Sequence, residues 1–202
     1  TRRLQVAFDR SQLLLQASTA LTRTSTVRDV IDAVHQMVGG SFHPANIGVV
    51  LLDDDGRLRL ASTDPLPSDV VGRWRTFPTA APVPAAATFR SGQLIALADP
   101  EAIAAAFPQG AADLQRLGWR AIACAAIPGL HGRLGVLTLA WTHSHEIDLN
   151  ERATITAIAG YLGQALQRAR HLDRQNTAAT TLQTALLPPL PTVGQLRMAA
   201  RY

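Results

Sequence analysis

The chain has 202 residues, of which 47% are hydrophobic and 17% are charged. This length suits one domain of medium size with helical extensions, and the composition supports a buried core and excludes a disordered chain. All 19 basic residues are arginines, against 15 acidic residues, which gives a formal net charge of +4. Because the arginines are scattered and form no basic stripe, we expect no nucleic-acid binding.

Cysteine usage and the length of apolar runs indicate the compartment. Cys124 is the single cysteine, so an intrachain disulfide is excluded and a reducing, cytoplasmic setting is favoured. No apolar run approaches the roughly 20 residues of a membrane-spanning helix, and no signal-peptide pattern opens the chain. We therefore expect a cytoplasmic protein with no membrane segment in this sequence.

The first third of the chain predicts two helices and a β-hairpin. An apolar stripe with helical spacing runs from Leu4 to Leu21, and a second helix is expected from Thr26 to Gly39. Residues 46–52 are typical of a buried strand, and residues 57–62 alternate between polar and apolar side chains, as expected of the second strand of a hairpin. The three aspartates between them predict a tight turn, since they lack the alternating oxygens and distant glutamate of a calcium loop.

The rest of the chain predicts short elements, a second hairpin and a long closing helix. In chain order these are a short helix within 64–84, a helical turn at 85–90, a strand at 93–97, a helical stretch at 100–117 interrupted at Pro108, strands at 120–127 and 133–141, and a helix after Asp148. This order predicts an α+β fold, an antiparallel sheet with helices packed on one face and long helices at both ends.

The closing helix carries small and apolar residues at alternating steps of three and four from Ile155 onward, the spacing of a heptad seam. A seam of this kind predicts a homodimer whose paired helices form a stalk. Asn176 falls on the seam, where a buried polar side chain fixes register; the alternative is that Asn176 faces solvent and the helix packs on its own domain. The predicted interface residues are Leu15, Ile158, Leu162, Ala165, Ala169, Leu172 and Asn176.

Three strings of the chain, in order, resemble the GAF domain, a small-molecule sensor and dimerisation module. They are ATFRSGQLIALADPEA at 87–102, LGWRAIACAAIPGLHGRLGVLTLAW at 117–141 and IDLNERATITAIAGYLGQALQRA at 147–169. The resemblance covers residues 11–172 and implies that an unknown small-molecule ligand, if one binds, lies between the sheet and the insertions of residues 62–117. The candidate ligand-binding residues are Trp74, Phe77, Arg90, Trp119 and Cys124, with Arg90 suited to an anionic ligand.

Other chemical signals are weaker. Cys124 lies among alanines and isoleucines, without the base or the electropositive setting of a catalytic thiol and without the neighbouring histidine of bilin-binding GAF domains. A chain without lysine cannot carry the intact signature of cyclic-nucleotide-binding GAF domains. His143 and His145 have the spacing of a metal pair on a strand, but no third ligand is evident, which favours a solvated loop. We expect no catalytic or metal-binding residues in this sequence.

A second resemblance lies at the end of the chain. The string LQTALLPPLPTVGQLRMAARY at 182–202 is similar to the entry segment of SpoIIE-like, metal-dependent serine/threonine phosphatases, in which a Leu-Gln-x-x-Leu-Leu-Pro string precedes the first catalytic strand. This resemblance implies a C-terminal phosphatase domain that holds Mn or Mg and acts on a phosphorylated anti-sigma-factor antagonist. The family's metal-binding Gly-Asp motif lies further downstream, so we expect no cofactor to bind to the present sequence.

These signals predict four segments: an N-terminal dimerisation helix at 1–22, a GAF domain at 23–165, a helical linker at 166–187 and the start of a phosphatase domain at 188–202. An alternative is that the sensor controls a histidine kinase or a transcription regulator. A third hypothesis, that the chain is itself an enzyme, is the weakest, because no nucleophile–base pair or metal set converges in the sequence.

Overall fold

The computed structural model describes residues 11–12, 15–63 and 67–186. The predicted start of the first helix at Leu4 and the phosphatase-like segment 188–202 lie outside the described residues. Among the described residues, no helix combines the length and apolarity needed to cross a membrane.

The chain forms an antiparallel sheet of six strands in the order β3-β2-β1-β6-β5-β4. This architecture confirms the predicted α+β fold, with a long helix at its C-terminal end. The elements are α1 (15–22), α2 (Val27–Phe42), β1 (Asn46–Leu52), β2 (Arg57–Thr63), α3 (Ser68–Trp74), β3 (Thr76–Pro78), α4 (Pro84–Ser91), β4 (Ile95–Leu97), α5 (Pro100–Ala106), α6 (Pro108–Arg116), β5 (Ala121–Gly129), β6 (Gly132–Trp141) and α7 (Leu149–Leu186).

Both long helices of the domain begin at a capping box. At α2 the hydroxyl of Thr26 accepts from the N–H of Asp29, and the Asp29 carboxylate accepts from the N–H of Thr26. The hydrogen bond from the Thr26 backbone is the main reason that the pKa of the Asp29 carboxyl lies below its ordinary value. At α7, Asp148 and Glu151 make the same reciprocal pair, with N···O distances of 2.8 and 3.2 Å. These exchanges satisfy amide donors that the first helical turn leaves unpaired.

The two faces of the central strands carry different helices. Ala121, Ala123 and Ala125 of β5 belong to the core formed with α2 and α7, whereas Ile122 and Cys124 pack with residues of α4 and α5. Because side chains alternate along a strand, these two sets lie on opposite faces of the sheet. The long helices α2 and α7 therefore cover one face and the short helices of the connecting segments cover the other, so helices lie on both faces of the sheet and not on one face as predicted.

The helix α7 is buried only along its first half. Ile158, Leu162, Ala165 and Ala169 are at most 1% exposed, and all four belong to the core between α7, α2 and the sheet. By contrast, every residue from 173 to 183 is exposed. The helix thus leaves its own domain after about six turns.

This burial corrects the interpretation of the heptad seam. Ile158, Leu162, Ala165 and Ala169 were predicted at a dimer interface, but the domain's own core leaves them no surface for a partner. A sheet-facing helix needs the same apolar repeat as a helix that faces another helix, so the spacing alone does not distinguish the two. Leu15, which is 69% exposed, the half-buried Leu172 and the exposed Asn176 remain accessible, and their role in an interface stays a prediction.

Two side chains tie the C-terminal ends of other helices to this core. The guanidinium of Arg168 in α7 donates to the carbonyl oxygen of Leu21, near the end of α1. The indole N–H of Trp141 in β6 donates to the carbonyl oxygen of Phe42, the last residue of α2, at 3.1 Å. The last carbonyls of a helix have no partner inside the helix, so these bonds satisfy them and fix the helices on the core.

We predict opposite effects for two glycine substitutions three residues apart in α7. A Cβ at Gly163 would overlap the carbonyl oxygen of Pro128 at the end of β5, so Gly163→Ala forces the helix away from the sheet and lowers the free energy of unfolding by about 1–3 kcal/mol. At Gly160 no atom lies within 4 Å of the same Cβ, so Gly160→Ala raises it by up to about 1 kcal/mol. Urea denaturation measures both, and equal effects would contradict the close approach of α7 to β5.

Candidate functional site

A cavity of about 120 Å³ lies on the face of the sheet opposite α7. Its floor is formed by strands β1, β2, β5 and β6, and its walls by α3, α4, α6 and the segments beside them. Most of its lining is apolar, as is usual for small-molecule sites. The lining residues are Asn46, Gly48, Val50, Leu60, Val70, Trp74, Phe77, Val83, Pro84, Ala85, Gly110, Asp113, Leu114, Leu117, Trp119, Ile122 and Thr138.

Aromatic side chains form part of the wall. Trp74 ends α3 and Phe77 lies in β3, and their rings meet edge to face with centroids 5.7 Å apart. Trp119 reaches the cavity from the turn before β5 and is half-buried. The arrangement gives an apolar wall with ring edges, a surface that suits a flat ligand.

Asp113 is the acidic residue of this cavity. It is 8% exposed, and its two carboxylate oxygens accept from Nη1 of Arg73 at 2.9 and 3.0 Å and from the indole N–H of Trp74 at 2.9 Å. These bonds join α3 to α6 across the cavity wall. A buried carboxylate with partners of this kind is held in one orientation, because leaving it unpaired would carry a large desolvation penalty.

The floor of the cavity adds two polar side chains from the central strands. Thr138 in β6 donates its hydroxyl proton to the carbonyl oxygen of Gly48 in β1 at 3.1 Å. Asn46, at the start of β1, is 4% exposed. Gly48 also lines the cavity.

Three of the five predicted ligand-binding residues line this cavity, namely Trp74, Phe77 and Trp119. Arg90 and Cys124 are not among the lining residues. The guanidinium of Arg90 is directed to the backbone, where it donates to the carbonyl oxygens of Thr79 and Ala81. Cys124 is fully buried beside Ile103, Ile122 and Val136.

Sequence reasoning missed Asp113. A usable signal is present, since Gly110 and Asp113 are three residues apart on α6 and both are buried on the same face of that helix. An acidic residue on the buried side of a short helix requires hydrogen-bond partners, which the structure supplies as Arg73 and Trp74. A partner that lies 39 or 40 residues away along the chain is not visible to a local pattern.

The predicted histidine pair, His143 and His145, makes contacts within the protein beside the start of α7. The ring of His145 stacks on Trp141 with centroids 4.5 Å apart, and its Nε2 lies 3.3 Å from Oε1 of Glu151. Its backbone N–H donates to the carbonyl oxygen of Ala98, which anchors the loop before α7. His143 is exposed and meets His145 edge to face. Across the described ranges, no group of three or more potential ligands is arranged to hold a metal ion.

A second, larger concavity of about 370 Å³ lies between α2 and β2. Its lining includes Arg28, Asp32 and Arg59, and the Arg59 guanidinium is already paired with Asp53 at 2.9 Å. Charges of both signs line it, and Arg59 is well exposed. It therefore resembles a surface groove more than a ligand site.

Comparison with known proteins identifies the family. The sequence model of the GAF domain matches residues 20–167, so the chain belongs to the GAF domain family and is placed among the sensor domains of signalling proteins. None of the curated protein sequences compared with this chain matches it.

Solved structures share the fold at low sequence identity. The GAF domain of a phosphoenolpyruvate-protein phosphotransferase from Coxiella burnetii superposes with a TM-score of 0.68 at 19% identity, covering 83% of this chain and 98% of that one. A free methionine-R-sulfoxide reductase from Neisseria meningitidis, solved with its substrate, gives 0.65 at 16% identity over 83% and 93%. A domain of a two-component sensor histidine kinase from Sinorhizobium meliloti gives 0.63 at 16% identity over 76% and 99%.

The buried state of Cys124 leads to a prediction. Burial raises the pKa of its thiol well above the ordinary value, so the reactive thiolate is suppressed in the folded chain. We expect alkylation by iodoacetamide to be at least about a hundredfold slower in buffer than in concentrated urea, because it requires opening of the sheet. Since Cys124 is the single cysteine, mass spectrometry reads the site directly. Fast alkylation of the folded chain would instead indicate a reactive thiol.

Proposed function

We propose that the chain is a cytoplasmic regulatory domain that binds a small molecule in the cavity beside Asp113 and passes the change to an output domain through α7. The observation that supports this function is that β5 and β6 line the cavity with one face and pack in the core of α7 with the other. Ile122 and Thr138 line the cavity, whereas their neighbours Ala123 and Leu137 pack in the core that contains α7. A shift of β5 or β6 on ligand binding therefore acts on the helix without any intermediate element.

For the output domain, we propose a SpoIIE-like protein serine/threonine phosphatase. The support is the Leu182, Gln183, Leu186, Leu187 and Pro188 string, in which Leu182 and Gln183 end the described, exposed part of α7. In this proposal residues 166–187 form the linker, Mn or Mg belongs to the phosphatase domain, and a phosphorylated anti-sigma-factor antagonist is the substrate. A histidine kinase or transcription regulator remains the second candidate output.

The phosphatase part is tested on the full-length protein. We expect Mn- or Mg-dependent release of phosphate from a phosphorylated anti-sigma-factor antagonist, and loss of that release when the metal is chelated. The present chain alone serves as the control and should release none. Autophosphorylation on a histidine, or an absence of acidic metal ligands after the GAF domain, would overturn this assignment in favour of the second candidate.

We further propose that the exposed part of α7 pairs with the same segment of a second copy. The exposed residues Asn176, Ala179 and Gln183 continue the heptad spacing beyond the part that the domain buries. The small side chains of this seam allow close packing with little apolar burial, so the pair should be weak and able to change register.

Replacing Asn176 tests the pairing. Asn176→Leu should tighten the dimer about tenfold or more, because a buried leucine gains about 1.5 kcal/mol or more of apolar transfer free energy. It should also blunt ligand control of the output, since a stronger seam resists rearrangement. Thr181→Leu is the matched control on the outer side of the helix and should change neither quantity. Sedimentation equilibrium gives the dimer constant; a monomer before and after Asn176→Leu, with regulation intact, would refute the paired stalk.

A further inference from the structure

Apart from two tryptophans, the described polar residues that line the cavity are Asn46, Asp113 and Thr138, and Asp113 is the charged one. The Asp113 carboxylate and the hydroxyl oxygen of Thr138 line it, and none of the described lining residues is a lysine, arginine or histidine. Arg73, which donates a hydrogen bond to Asp113 through Nη1, is not a lining residue. Its side chain is 61% exposed. Arg90 is occupied with backbone carbonyls. An anionic ligand would therefore meet the Asp113 carboxylate, and none of the described lining residues offers it a cation to pair with.

Asp113 retains capacity for one more hydrogen bond. A carboxylate offers about four lone-pair positions, and the structure fills three of them, with two contacts from Arg73 and one from Trp74. Among the described residues, Oδ1 accepts a hydrogen bond from Arg73, whereas the Arg116 Nη1 lies 4.0 Å away, beyond hydrogen-bond distance. The remaining position belongs to a carboxylate whose side chain is 11% exposed. It is suited to accept from a ligand N–H or O–H.

The volume limits the ligand to a small molecule. About 120 Å³ is close to the roughly 150 Å³ of an apolar cavity that holds benzene. A nucleotide or a haem is several times larger, and neither would fit without a large opening of α3 and α4. The aromatic wall of Trp74, Phe77 and Trp119 favours a flat ring.

We propose that the cavity selects an uncharged aromatic molecule of one ring, or two fused rings, that carries an N–H or O–H donor for Asp113, and that it rejects anions. This inference rests on the proposed function, in which this cavity is the sensing site. Phenol and indole represent the class. The ring would lie against the three aromatic side chains, and its donor would point at Oδ1 of Asp113.

Matched probes test the class on the purified chain by isothermal titration calorimetry at pH 7.5. Phenol and indole should bind, and anisole, which has the phenol ring but no donor, should bind about tenfold more weakly or worse, because a hydrogen bond to a charged acceptor is lost. Benzoate and cyclic AMP should show no binding at the same concentrations. Equal affinity for phenol and anisole would remove the role of Asp113, and tighter binding of benzoate would overturn the proposal.

Two substitutions locate the site. Ala85→Leu places three extra carbons in the cavity and should abolish phenol binding, whereas Ala112→Leu makes the same change at an exposed position of α6 and should leave it unaltered. Asp113→Asn keeps the size but offers an N–H donor, so it should weaken phenol about tenfold and admit benzoate. Circular dichroism and the thermal midpoint verify that each variant folds. If Asp113→Asn does not fold, the comparison of phenol with anisole and the comparison of Ala85→Leu with Ala112→Leu still test whether the cavity binds a ring with a donor.

The outcomes separate this inference from the proposed function. If phenol binds as described but leaves the sedimentation of the α7 dimer and the output activity unchanged, the ligand class stands and the sensor role fails. If a different class, such as an anion, binds the cavity and changes the output, the sensor role stands and this inference fails. Binding of no probe by the folded chain at millimolar concentration overturns the ligand class.

Discussion

The close approach of α7 to β5 is the contact on which the rest of the structure depends. The positions of β5 that face α7 include Ala121, Ala123 and Ala125, and α7 presents Gly163 to the carbonyl of Pro128. Small residues on both partners bring the helix backbone near the sheet, and the larger Ile158 and Leu162 then reach past them into the core. Larger residues at either side would push the helix outward and open the same core that α2 closes.

This contact also explains why the cavity lies where it does. With α7 and α2 covering one face, the other face of β5 and β6 is left to the segment between β2 and β5, which folds into short helices rather than one long one. Short helices cannot cover the sheet continuously, and the space between α3, α4 and α6 is the cavity. Asp113 holds two of its walls together through Arg73 and Trp74, so this group of hydrogen bonds also forms part of the cavity wall.

Much of the fold could be predicted from the sequence, because its strongest signals are local. The start of α2 at Thr26, the turn after β1 and the start of α7 after Asp148 depend on residues within four positions of each other, and they were placed correctly. The strand β3 was not predicted, since three residues are too few to show alternation. Its pairing with β2 is decided by the sheet rather than by its own sequence.

The site was predicted less completely, and the reason is the same. Aromatic residues in an insertion indicate a cavity by their type alone, and Trp74, Phe77 and Trp119 do line the cavity, while their role in binding a ligand stays a prediction. Arg90 was expected to be available to a ligand, but whether an arginine points to a cavity or to a backbone carbonyl depends on a loop conformation that no local pattern encodes. Asp113 was missed because its partners come from another element. Composition reveals the apolar part of a site, and only tertiary structure reveals where its charges are directed.

The exposed end of α7 has properties that would suit it to transmit a shift of β5 or β6 to an output domain. Residues 173–183 are helical but receive no support from the domain, and three threonines among them bond back to carbonyl oxygens four residues earlier. Threonine has a modest helix propensity, and such back-bonding slightly destabilises and bends a helix. A helix segment of about eleven residues without tertiary packing is marginal in water, so a partner would strongly influence its stability. Its first half, by contrast, is fixed in the core. A displacement of β5 would therefore move the fixed first half of α7, and the exposed half could respond by pairing with a different partner or in a different register.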